Sequence, residues 1–207
     1  MTHPSNLITD YLLGAVCLAL ALPLGRAALQ QRSAAMTLWT IAYVTAATAA
    51  LAGGTYHGFY NELDAKVAAV IWEVSMFAMG LTSAALLSAS ATFAAPERHR
   101  TTWYIAIIVK FCIFAWWMSG HDEFRYVVAD MAVSILAIIG LHSWRGYQSG
   151  DRSQLWVVAA MLIAVAGAVL QQWKISLHAH FDHNDLYHIV QIVALVVMAR
   201  ALLAMRA

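Results

Sequence analysis

Residues 37–59 read TLWTIAYVTAATAALAGGTYHGF, 23 positions without Asp, Glu, Lys, Arg or Pro, carrying a histidine two residues from the end. At 1.5 Å per residue a helix of that length runs about 35 Å, enough to cross a hydrocarbon core of about 30 Å. Working outward, six further apolar segments appear, near residues 8–25, 65–92, 102–119, 125–144, 155–173 and 185–204. Short connections between them carry most of the charge. In lipid the backbone must satisfy its own hydrogen bonds, which favours helices, and no segment alternates as a barrel strand would. Composition agrees. Of 207 residues, 62% are hydrophobic and only 11% charged, where soluble domains carry roughly 25%. The expectation is an all-α bundle of seven transmembrane helices forming one domain over residues 1–207.

Twelve Lys and Arg oppose eleven Asp and Glu. That balance leaves no basic stripe for a phosphate backbone, which argues against nucleic-acid binding. Cys17 and Cys112 both lie inside apolar runs, where they read as packing residues, not a disulfide framework or a cysteine zinc site. No Lys or Arg precedes the first segment in MTHPSNLITDY, so it reads as a retained span and not a cleaved signal. Eight arginines (26, 32, 98, 100, 145, 152, 200 and 206) fall at one set of span ends, against Lys66, Arg125 and Lys174 at the other. The positive-inside bias then places the amino terminus outside and the carboxyl terminus inside. Trp39, Trp103, Trp144 and Trp156 mark the inner interface, and Trp116, Trp117 and Trp173 the outer one. The expected setting is a bacterial cytoplasmic membrane with any site facing the periplasm.

Histidines and carboxylates gather at the outer end: His57, Glu62, Asp64, His121, Asp122, Glu123, His178, His180, Asp182, His183, Asp185 and His188. His3 and Asp10 read as part of the outer tail. Acidic outer loops are in part the complement of the charge bias. Glu73, Lys110 and Asp130 are different because they lie within spans, roughly 12, 13 and 9 Å below the outer helix ends. An ionisable group facing lipid alone costs about 2.5–3.5 kcal/mol or more. All three are therefore expected to face the bundle interior, where Lys110 neutralises one carboxylate. They form either a structural ion pair or the acid of a working site.

His57 closes span two within GGTYHGFY, where Gly54 and Gly58 form a GxxxG pattern suited to close helix packing. His188 lies one turn inside span seven in HAHFDHNDLYHIVQ, below Asp182 and Asn184, either of which can cap the helix. Spans two and seven run in opposite directions, so the end of one and the start of the other share the outer layer. Two imidazoles there are either hydrogen-bonding residues or the start of a metal site. A catalytic zinc takes about three protein ligands and a water, and His57, His188 and His183 are the expected set. Glu73, Asp130 or Asp64 is the expected general base, and Tyr56, Tyr187 or Asn184 would orient an imidazole or donate to an oxyanion. Asp185, His180 and Lys110 are placed around ligands or substrate.

With seven spans, His57 near the end of span two and a histidine motif opening span seven, the chain resembles the CREST superfamily, which includes the alkaline ceramidases and the progestin and adipoQ receptors. The resemblance implies a Zn²⁺ ion held by three histidines whose water hydrolyses an amide in a lipid. His57 corresponds to the span-two ligand and His188 to the second histidine of the family's HxxxH. Asn184 stands at the first position of that motif, and Gly53 where the family has serine. Asp64 and Glu73 are the nearest counterparts of its acid. The implied function is zinc-dependent hydrolysis of a lipid amide or ester, with a membrane lipid as substrate. The competing class is a receptor, transporter or proton relay using the same polar residues, and a third reading places haem between His57 and His188. The sequence leaves oligomeric state open.

Overall fold

The computed structural model describes residues 4–178 and 181–205. Its helices are α1 (Pro4–Gln31), α2 (Ala34–Phe59), α3 (Ala65–Ala94), α4 (Glu97–Met118), α5 (Phe124–Ser149), α6 (Ser153–Gln172) and α7 (His183–Ala204). All seven are long and apolar enough to cross a membrane. Each expected segment lies on its own helix, with ends shifted by a few residues. The connections show why the helices stop. Arg32 turns the chain after α1 at φ 50°, and Ser33 then caps α2 by accepting a hydrogen bond from the Met36 N–H. Gly150 ends α5 at φ 68°, a left-handed conformation that glycine adopts without penalty.

Six helices close a ring in the order α1, α2, α3, α5, α6 and α7, with α7 returning to α1. Helix α4 stands outside it, packed on α3 and barely touching α5. The outer surface is strongly apolar: Leu29, Ile108, Trp116, Leu136, Trp156 and Trp173 are all exposed. That much exposed hydrocarbon needs lipid as its solvent. Inside, the larger apolar cluster packs Leu24, Met36, Trp39, Ile138, Val157 and Leu202 at the end opposite His57. The half of the ring nearer His57 holds a cavity of about 540 Å³. One end of the bundle is solid, and the histidine end is hollow.

Candidate functional site

The cavity is lined by every ring helix and not by α4. Its polar pole carries Asp10 from α1, His57 from α2, Ser75 from α3 and His188 from α7. Below them the wall is apolar except for Gln191 and Thr82, reaching Leu86, Met161 and Met198. From His188 to Met198 is ten residues, so the well is about 15 Å deep along α7. Its shape is also informative. The lining residues that are exposed as well (Ala132, Val165, Val169, Gln172 and Trp173) all lie on α5, on α6 or immediately after α6. The cavity therefore opens sideways between α5 and α6.

The close fit of α1 on α2 builds the pole. A Cβ at Gly54 would meet the Asp10 Cβ and the Tyr11 ring at 2.8 Å, and one at Gly58 would meet Leu7 at 2.9 Å. Glycine at both positions lets the backbones approach as a small-xxx-small face does. Asp10, buried at 4% exposure, then reaches both histidines. His57 Nδ1 lies 2.9 Å from Asp10 Oδ2, and His188 Nε2 lies 3.1 Å from Asp10 Oδ1. Tyr11 and Thr55 join their hydroxyls at 2.9 Å beside this contact. Gly54→Ala is expected to push α1 away from α2 and lower the unfolding midpoint without altering any polar residue. Thermal unfolding of the variant beside wild type checks this.

A hydrogen-bonded chain continues behind His188. Thr9 Oγ1 lies 2.9 Å from Asp185 Oδ1 and 3.0 Å from His188 Nδ1. Asp185 is fully buried and also accepts from the Asp182 N–H, completing a capping box at the start of α7. A carboxylate only accepts, and a hydroxyl has one hydrogen to give. Thr9 Oγ1 also lies 3.2 Å from the Ser5 and Asn6 carbonyls, which compete for that one hydrogen. His57 Nδ1–H donates to Asp10, which leaves Nε2 without a hydrogen-bond partner among the described residues.

The other expected site residues fall in three groups. His57 and His188 meet through a shared carboxylate, and Asn184 and Tyr187 line the same cavity. The Tyr187 hydroxyl bonds to no described residue, and the Asn184 Oδ1 accepts from Gln171 Nε2 at 3.1 Å. Tyr56 stands behind the pole, its ring 4.8 Å from Trp72 and 6.0 Å from His57. His183 opens α7 without lining the cavity. His180, like His3 and Arg206, lies outside the described residues.

None of the three expected acids lines the cavity. Asp64 is exposed and caps α3 through the Lys66 N–H. Asp130 accepts from Lys110 Nζ at 2.6 Å, and Lys110 also donates to Ser83 Oγ at 3.0 Å, all off the cavity wall. Here the expected neutralisation of a carboxylate by Lys110 is observed. Glu73 is exposed on the outside of α3, contrary to its expected inward placement. The cavity-facing stripe of α3 is Trp72, Ser75, Met79, Thr82 and Leu86, and Glu73 stands outside it. The adjacent Trp72 donates its Nε1–H to the Asp122 carbonyl of the α4–α5 loop, which puts Glu73 level with that loop. The carboxylate at the site is Asp10, placed in the tail by the sequence reading. Its one signal was an aspartate within the first three turns of an apolar helix.

The two imidazoles and one carboxylate are donor types that zinc takes, but their arrangement does not fit an ion. The rings contact different oxygens of Asp10, so the carboxylate lies between them instead of beside them. Among the described residues no group of three or more His, Cys, Asp or Glu is placed to hold a metal.

Over residues 5–207 the chain matches a family of unknown function, DUF6962, and belongs to it. No curated protein and no solved structure matches the chain.

Proposed function

We propose that the chain is an integral membrane hydrolase that cleaves an amide or ester in a lipid. The observation that carries this reading is the cavity itself, polar at Asp10, His57 and His188, apolar below, and open toward lipid between α5 and α6. A substrate dissolved in the bilayer enters sideways, seats an acyl chain in the well and presents its carbonyl to the pole. The likeness to CREST proteins in span count and in the placing of His57 and His188 supports the same reaction class. The arginine bias supports a site on the outer face, at the periplasmic side of a bacterial inner membrane.

The chemistry follows from His57. Its free Nε2 takes a proton from water while Asp10 holds Nδ1–H and steadies the imidazolium that forms. The water oxygen bonds to the carbonyl carbon, and the Tyr187 hydroxyl is available to the developing oxyanion. When the C–N or C–O bond breaks, His57 returns the proton to the leaving nitrogen or oxygen. Water is divided between a fatty acid and an amine or alcohol.

A conduit is less well supported. Polar residues would have to continue past the pole, yet beyond Gln191 and Thr82 the well is lined chiefly by Ala, Leu, Ile and Met. His142 at the other end is buried against Trp39 and Phe93 and hydrogen-bonded to Gln154, off the cavity wall.

The test is acyl release from vesicles carrying N-acylated and O-acylated lipids with labelled chains. Wild type should release label from at least one class, and Ala132→Trp, which narrows the α5–α6 opening, should lower kcat/KM several-fold. No release from any lipid overturns the reading.

A further inference from the structure

We propose that this site works without a bound metal ion, the Asp10 carboxylate standing where a cation would otherwise join the two imidazoles. The proposal rests on the hydrolase reading for its chemistry and on the hydrogen-bonded chain for its geometry. A single ion bound by His57, His188 and Asp10 needs all three donors turned toward one point. Here His57 addresses Oδ2 and His188 addresses Oδ1. Among the described residues no further donor completes a set. Asn184 occupies the place where a third imidazole would approach along α7, and its amide oxygen is taken by Gln171. The second buried carboxylate, Asp185, reaches His188 only through the Thr9 hydroxyl.

Asp10 and Asp185 are both nearly or fully buried, and their oxygens are already engaged: those of Asp10 by the two rings, those of Asp185 by Thr9 and the Asp182 N–H. His57 then supplies the base, Asp10 its orientation, and the Asp185–Thr9 pair holds His188 from behind. In this arrangement Asp185 and Thr9 are positioning residues.

The test uses full-length protein purified in detergent without chelator. Metal content is measured, and thermal unfolding is followed with zinc chloride or EDTA added. An ion that binds the native state raises the unfolding midpoint by mass action. The expected result is zinc far below one per chain and a midpoint that neither addition shifts. Asp10→Asn should lower the midpoint, because the two rings lose their common acceptor. Zinc near one per chain with a midpoint that falls in EDTA and recovers with zinc overturns the proposal, and so does an Asp10→Asn midpoint equal to wild type. Neither readout involves turnover. Absence of acyl release from every lipid would therefore remove the hydrolase reading and leave this one standing.

Discussion

Asp10→Asn is expected to lower acyl release by about 10²–10⁴-fold, the range that a positioned acid–base pair contributes. The substitution keeps the size and shape of the side chain, so α1 stays seated on Gly54 and Gly58. What changes is the hydrogen inventory. A carboxylate accepts from both rings, from His57 Nδ1 at 2.9 Å and from His188 Nε2 at 3.1 Å. An asparagine offers one acceptor and one donor. Whichever ring faces the amide nitrogen must present a lone pair there. If that ring is His57, its hydrogen moves to Nε2, and the atom meant to take a proton from water already has one. If it is His188, its hydrogen moves to Nδ1 and the contact with Thr9 rearranges. The measurement is kcat at matched folded fraction, and an Asp10→Asn enzyme within threefold of wild type would remove Asp10 from the mechanism.

The second large effect lies away from the cavity. Lys110→Met should destabilise the bundle by about 3–5 kcal/mol, the cost of leaving one member of a buried pair alone. Lys110 and Asp130 are 16% and 8% exposed, and their contact of 2.6 Å joins α4 to α5. Little else does. Helix α4 leans on α3, where Phe114 fills the space above Gly80 and meets Phe77, and it hardly touches α5. Removing both charges with Lys110→Met and Asp130→Leu should restore most of the loss, since no unpaired ion remains. Unfolding in mixed detergent micelles gives the comparison. The folded fraction of either variant should keep normal acyl release, because neither residue lines the cavity.

The spans were legible because a long apolar run has few alternatives in lipid. Trp39 and Tyr43 could be placed on a helix from sequence, and they lie on one. The ring order was not legible, since it depends on which faces fit together, and seven helices that are apolar all round carry little such information. His57 and His188 stood out as polar residues on apolar helices, and the structure brings both to one carboxylate. Asp10 was left in the tail for a reason of averaging: one aspartate followed by Tyr, Leu, Leu, Gly and Ala scarcely alters a long hydropathy window. Glu73 misled in the opposite sense. Counting residues from the start of α3 measures distance along one helix and not the direction a side chain faces, and Glu73 stands outside the cavity-facing stripe. His183 suffered from helical geometry: five residues before His188 on the same helix, it points elsewhere.

Thr9 and Asp10 come from α1, while Asp185 and His188 come from α7. During synthesis the aspartate must enter the bilayer long before its imidazole partner on α7 has left the ribosome. Until then α1 carries a carboxylate with at most His57 for company. The pole is assembled only when the last of the seven helices arrives, and on the proposed hydrolase reading an immature chain lacks the full site.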